Sequence, residues 1–296
     1  MNSKIKHLYT VLVCLLLLAA CAKKEIPKGY LIEIEAFIEL SKNENTKIID
    51  FRKSAAYKNG HLKNSLNIWR TDIEDDSYPY GGMKASKEQL EKLFRKLGIN
   101  KNDTLLILDD KGLCDAARLW WVLQYYKFTN VKLLNGGFET VKTAGIPLTK
   151  DETPIVASNF SFGKAVNKEF YASKAQIEYA IKNNHIIIDT RTTEEFLGNV
   201  LKKGATSKGK IPTSTLIDWA KDVDYHGNKK MKSISELKKI YTDINHNSND
   251  TVYVYCHSGV RSAHTTFVLT QVLGYKHVLN YDGSWTEWSY LKNQDK

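Results

Sequence analysis

Cysteine is scarce in this chain: four residues in 296, at positions 14, 21, 114 and 256. With Cys14 in the N-terminal apolar run, the other three make no disulfide framework, and because no Cys-x-x-Cys pair or His-x-x-x-His spacing occurs, neither a metal nor another cofactor is expected. Proline is scarce too, at five residues, and no low-complexity tract interrupts the chain. Long apolar runs are equally rare. Residues 11–20 form an uncharged one, too short for an ordinary membrane-spanning helix. Acids are outnumbered, 33 against 43 Lys and Arg, for a net charge of +10. The excess is scattered in pairs such as Lys202-Lys203, Lys229-Lys230 and Lys238-Lys239, which read as solvated faces, so no nucleic-acid partner is expected. Small anions and anionic lipid headgroups would benefit from the same field.

What the chain does have is alternation. Apolar, β-rich runs recur at Ile48-Ile49, 105–108, 131–134, 186–188, 252–255 and Val278-Leu279. Between them lie helical patterns: Leu90, Leu93, Phe94 and Leu97 make one stripe over residues 87–97, and residues 168–183 read similarly. This order predicts an α/β fold with a mostly parallel sheet flanked by helices on both faces. The chain also repeats itself. A shift of 147 residues superimposes Gly112 on Gly259, Ala116 on Ala263, Gln124 on Gln271, Val131 on Val278 and Gly136 on Gly283. Upstream, Asp50 and Arg52 fall on Asp189 and Arg191 at a shift of 139, so the loop after Phe196 is longer in the second copy. Two homologous domains follow, at 26–149 and 163–296, joined by an aperiodic linker at 150–162.

Residues 251–262 carry the chemistry. The run Thr251-Val252-Tyr253-Val254-Tyr255 leads through a short loop into a helix, and Cys256 is the first residue of that loop. A loop curled about its own centre points its N–H groups and the following helix N-terminus inward, which favours a thiolate and an anion. Arg261, in the same loop, is a residue type that grips oxyanions bidentately. The helix is expected from Ser262, with Ala263, Phe267, Val268 and Val272 on one face, ending at Gly274. A lone cysteine is more often a packed core residue. Here the strand-loop-helix setting, with Gly259 and Arg261, makes Cys256 the nucleophile instead. In the first copy Asp109 stands where Cys256 does and Cys114 where Arg261 does, so that copy lacks the nucleophile, and Cys114 reads as a packed or partly exposed thiol.

The segment Cys256-His257-Ser258-Gly259-Val260-Arg261-Ser262 resembles the active loop of a two-domain rhodanese, a sulfurtransferase family. Asp189-Thr190-Arg191 before it and Asn280-Tyr281-Asp282-Gly283-Ser284-Trp285-Thr286-Glu287-Trp288 after it extend the likeness. In the first copy it rests on Asp50-Phe51-Arg52, Gly60-His61-Leu62, Ala117-Arg118-Leu119-Trp120-Trp121 and Leu134-Asn135-Gly136-Gly137. The resemblance implies two tandem rhodanese-like domains, the second catalytic. Sulfur would pass from thiosulfate, or a related donor such as 3-mercaptopyruvate, to cyanide or a thiol through a Cys256 persulfide. Arg261, His257, Ser258, Gly259 and Val260 would bind the anionic substrate, in a monomer.

The resemblance further implies a site between the domains. Trp69, Arg70 and the turn Tyr80-Gly81-Gly82-Met83 are its candidates in the first domain, and Trp285 and Trp288 its candidate walls in the second. Asp50 with Arg52, Asp189 with Arg191, and Arg118 read as structural. Cys256-His257-Ser258-Gly259 matches neither the familiar thiosulfate-preferring loops nor the mercaptopyruvate-preferring ones, which leaves the donor open. Lys210 stands where the family turn carries a histidine. A cysteine phosphatase or arsenate reductase is a second reading, although cysteine phosphatases place one residue more between Cys and Arg. A non-catalytic sulfur carrier is a third.

The N-terminus is similar to a bacterial lipoprotein signal. Lys4, Lys6 and His7 precede the apolar run, and Leu18-Ala19-Ala20-Cys21 closes it with small residues at the cleavage position. Removal of residues 1–20 would leave Cys21 to carry lipid, tethering the protein to a membrane of the cell envelope on its periplasmic or outer side.

Overall fold

The computed structural model describes residues 29–242 and 250–294; the signal region and Cys21 lie outside them. In the first domain β1 (Leu31–Ile32), β2 (Thr46–Asp50), β4 (Ser65–Asn67), β5 (Thr104–Leu108) and β6 (Val131–Leu134) form one parallel sheet in the order β1-β6-β5-β2-β4. β3 (His61–Leu62) pairs antiparallel with β7 (Leu148–Thr149) beside it. Helices α1 (Ile34–Ser41), α2 (Ser54–Asn59), α3 (Lys87–Lys96), α4 (Cys114–Tyr125) and α5 (Gly137–Thr143) fill the connections. Because side chains alternate along a strand, Leu105 and Ile107 of β5 enter one apolar cluster while Leu106 and Leu108 enter another on the opposite face.

The second domain repeats this plan. β8 (Tyr171–Ala172), β9 (Ile186–Asp189), β10 (Thr215–Leu216), β11 (Thr251–Tyr255) and β12 (His277–Tyr281) run parallel in the order β10-β9-β11-β12-β8. Their helices are α6 (Lys174–Lys182), α7 (Thr193–Phe196), α8 (Ile234–Ile240), α9 (Val260–Phe267) and α10 (Ser284–Gln294), and α9 continues as a π-helical turn over Val268–Val272. Tyr253 and Tyr255 face one cluster, Val252 and Val254 the other. The helix expected over 168–183 begins only at Lys174, because Tyr171 and Ala172 pair with β12 as an edge strand and Ser173 caps the helix through the Gln176 N–H.

Residues 150–162 contain no helix or strand, yet they are not a plain tether. Phe160 and Phe162 are buried in the first domain's core against Phe94, with ring centroids 5.0 and 5.9 Å away. The two domains share that core: α4 packs against α9, and Phe267 meets Trp120 edge-on at 5.0 Å. A buried ion pair crosses the same boundary. Arg118 Nη2 donates to Asp282 Oδ1 and to the Gly82 carbonyl, both at 2.7 Å, with each charged side chain 1 % exposed. Removing either partner would strand the other's charge in the interior.

Candidate active site

β11 ends at Tyr255 and α9 begins at Val260, so Cys256 to Gly259 make the turn between them. Gly259 has φ +75°, and a Cβ there would lie 2.5 Å from the Asp282 carbonyl oxygen, so both the conformation and the space call for glycine. Ser284 ties the turn together. Its Oγ accepts the N–H of Cys256 and of Gly259, both at 3.1 Å, and donates to the Tyr281 carbonyl at 2.7 Å. Ser284 itself sits at φ +51°, a left-handed conformation costly for a residue with a side chain. The first domain has Gly137 there, at φ +54°. The serine marks a cost accepted for its hydroxyl.

Cys256 is buried, which by itself raises its thiol pKa. The charge of Arg261, the hydroxyl and N–H of Ser262 and the N–H of Ser258 outweigh that effect and lower it to about 7. Arg261, however, does not present an open fork. Its Nη1 and Nη2 donate to the two carboxylate oxygens of Glu195 at 2.6 and 2.8 Å, so the expected bidentate clamp on substrate is already closed on a protein carboxylate. Burial raises the Glu195 pKa, but the hydrogen bonds and charge of Arg261 bring it to about 2. Glu195 carried no signal in the sequence: its partner is 66 residues away and its side chain lies in the short helix α7. His257 also departs from an anion contact. Burial and the Lys202 charge lower its pKa to about 4, and its Nε2 lies 2.9 Å from the Lys203 carbonyl, which only accepts, so the neutral ring carries its proton there.

A cavity of about 260 Å³ opens on Cys256 between the domains. The first domain supplies Arg70, Lys111 and Cys114; the second supplies Lys202, Trp219 and Tyr225 beside the loop. Arg70 and Trp219 come from equivalent 3₁₀ turns, Arg70–Ile73 and Trp219–Asp222, which follow β4 and β10. Of the four candidate pocket residues, only Arg70 lines this space. Trp69 stands behind it, 5.3 Å from the Arg70 guanidinium. Trp285 and Trp288 are core residues of the second domain, and Trp285 Nε1 donates to the Ser207 carbonyl at 3.0 Å. The Gly81-Gly82 turn does reach the loop: a Cβ on Gly82 would collide with Ser258, and Thr286 Oγ1 donates to the Gly81 carbonyl at 2.8 Å. A larger cleft of about 690 Å³ beside residues 153–158 contains no cysteine or histidine.

The first domain's loop keeps the same ring of donors and fills it from within. The Asp109 carboxylate accepts N–H bonds from Lys111, Leu113, Asp115 and Ala116 at 3.1, 3.0, 2.8 and 3.0 Å. Under the 147-residue shift these are the counterparts of Ser258, Val260, Ser262 and Ala263. Elsewhere the copies match closely. Arg52 grips Asp50 and the Gly60 carbonyl; Arg191 grips Asp189 and the Gly209 carbonyl, the last at 2.8 Å in both domains. The histidine missing from the second copy has a chemical substitute: His61 stacks on Tyr57, whereas the Lys210 ammonium lies 3.9 Å from the ring centre of Phe196, the residue equivalent to Tyr57.

The rhodanese-like domain profile matches this chain twice, over residues 33–144 and 173–290. A putative thiosulfate sulfurtransferase of Saccharopolyspora erythraea is 31 % identical over 245 residues, 80 % of this chain and 85 % of that protein. The sulfur carrier protein TtuD of Thermus thermophilus is 32 % identical over 245 residues, covering 79 % and 84 %. Among solved structures, the 3-mercaptopyruvate sulfurtransferase SseA of Escherichia coli superposes with a TM-score of 0.73 over 87 % of this chain and 99 % of its own, at 24 % identity, a likeness of fold. Two matched domains and relatives of this closeness place the chain in the rhodanese family, as a tandem member whose second domain holds the cysteine.

Proposed function

We propose that this rhodanese is a sulfurtransferase that takes sulfane sulfur from thiosulfate, or a related donor such as 3-mercaptopyruvate, and carries it as a persulfide on Cys256. The observation that carries this reading is a buried cysteine at the cavity between the domains, whose thiolate is favoured near neutrality by the Arg261 charge, the Ser262 hydroxyl and the N–H groups of Ser262 and Ser258. The thiolate attacks the outer sulfur of thiosulfate; a bond from the Cys256 sulfur to it forms, its bond to the sulfonate sulfur breaks, and sulfite leaves with that electron pair. A cyanide or thiol acceptor then attacks the outer sulfur and returns the thiolate. The N–H groups of Val260 and Ala263, counterparts of two that hold Asp109, are the donors for that second sulfur; that of Ala263 otherwise makes only a 3.3 Å bond to the Gly259 carbonyl. Neutral His257 is not needed as a base, because the thiol ionises unaided near pH 7.

A phosphatase reading fares worse. Four residues separate Cys256 from Arg261, a smaller ring than a phosphate group requires, and Arg261 is already engaged by Glu195. Incubation with thiosulfate should add one sulfur atom to the intact protein and release one sulfite, with no Cys256-dependent hydrolysis of aryl phosphates. Unchanged mass together with a phosphocysteine would overturn the proposal. The retention of Cys256 in a built loop also favours an enzyme over a passive carrier. For location, the sequence supports a lipid anchor at Cys21. Wild-type protein should enter the detergent phase and Cys21→Ser should not; aqueous partitioning of the wild type with Cys21 unmodified would refute the anchor.

A further inference from the structure

The cavity over Cys256 has four cationic side chains in its wall: Arg70, Lys111, Lys202 and Arg261. Two are already matched. Arg261 is bound to Glu195 through both terminal nitrogens, and Arg70 Nε donates to the buried Asp115 carboxylate at 2.6 Å. Lys202 lies 3.9 Å from a Glu195 oxygen that Arg261 already holds, so little of its charge is offset. Among the described residues Lys111 is in no ion pair; its ammonium lies 6.0 Å from the Trp69 ring centre. The wall therefore carries two charges beyond those its carboxylates balance, one from each domain, and remains positive by one when Cys256 is a thiolate. That field favours an anionic donor head.

We propose that Lys111, on the first domain's nucleophile-free loop, is a donor-recognition residue: with Lys202 across the cavity it holds the charged head of an anionic sulfur donor while the outer sulfur faces Cys256. This rests on the sulfurtransferase reading for the identity of the donor, not for the presence of the anion site. Lys111 is the counterpart of Ser258 under the 147-residue shift. Its backbone N–H holds the anion inside the ring, here Asp109, at 3.1 Å. Its side chain leaves that ring for the shared cavity. The domain without a nucleophile thus contributes the charge that selects the substrate. Arg261, expected from the sequence to do this, instead sets the thiolate's acidity.

Alkylation of Cys256 by iodoacetate, an anion, and by iodoacetamide, which is neutral and of similar size, reads the site without any turnover. Lys111→Met should slow iodoacetate about tenfold, the loss of one charge-assisted contact, and leave iodoacetamide unchanged. Lys111→Arg should restore most of the iodoacetate rate, and Lys101→Met, a surface control, should change neither. The Michaelis constant for thiosulfate should rise by a similar factor in Lys111→Met with little change in kcat. Equal slowing of both reagents would show a structural effect, and unchanged rates for both would remove Lys111 from recognition; either result overturns the proposal. A selective loss of iodoacetate reactivity in a protein that thiosulfate cannot load would uphold the anion site and overturn thiosulfate transfer.

Discussion

The two loops of this protein hold two kinds of anion in one ring of donors. In the first domain Asp109 supplies the anion itself and occupies four N–H groups; in the second, Cys256 reaches the ring with a single atom. A carboxylate has two oxygens and one sulfur has none to spare, so the cysteine loop is left with donors for a second atom and the aspartate loop is not. Where the nucleophile is absent the ring of donors is intact and closed on a carboxylate, whose second oxygen takes donors equivalent to those of Ser262 and Ala263.

Substitutions that copy one loop into the other test this directly. Cys256→Asp, which imports the first domain's residue, should abolish sulfur loading altogether while leaving thermal stability close to that of the wild type, because the donors gain an anion. A stability loss of several kcal/mol, the scale of an uncompensated buried charge, would show that the second ring cannot hold a carboxylate and break the analogy. Ser284→Gly imports the residue at Gly137. It should slow persulfide formation about tenfold, since the N–H groups of Cys256 and Gly259 lose their common acceptor. Its stability should fall by no more than about 1 kcal/mol, because relief of the φ +51° strain offsets part of the loss. Full activity would remove Ser284 from the site.

Smaller effects sharpen the picture. Loading by thiosulfate should rise with pH through about 7, as the Cys256 thiol ionises, and show no step near 4, where His257 titrates. Glu195→Gln should shift that rise to lower pH, because Arg261 loses its counter-charge and acts more fully on the thiolate; a shift to higher pH would contradict the assigned role of the pair. Lys210→Ala, which removes the cation over Phe196, should cost only about 0.5–1 kcal/mol of stability and leave loading intact.

Much of this arrangement is written locally, and those parts are legible in the sequence. The ring is made by consecutive residues between a strand and a helix, so Cys256, Gly259 and the Asp109 counterpart can be read from a dozen positions. The alternating runs likewise announce the central strands and the two domains. What cannot be read depends on residues brought together only by folding. Glu195 closes on Arg261 from another element, and Arg118, structural as its motif suggests, finds its partner Asp282 across 164 positions, which no local pattern names. Trp285 and Trp288 look like pocket walls by motif, but the face of α10 they occupy turns into the core. Two-residue strands such as β1 and β8 are too short to carry a period. The phenylalanines at 160 and 162 sit in a segment whose backbone is irregular while its side chains are anchored.

Site-resolved mass spectrometry after brief exposure to thiosulfate tests the central claim most directly. Cys114 and Cys256 face the same cavity, but burial and the neighbouring Asp115 charge raise the Cys114 thiol pKa, whereas that of Cys256 is lowered. The account predicts one added sulfur, on the peptide containing Cys256, with Cys114 unmodified and Cys114→Ser loading as the wild type does. Sulfur found on Cys114, or equal loss of loading in Cys114→Ser and Cys256→Ser, would contradict it and establish a two-thiol relay instead.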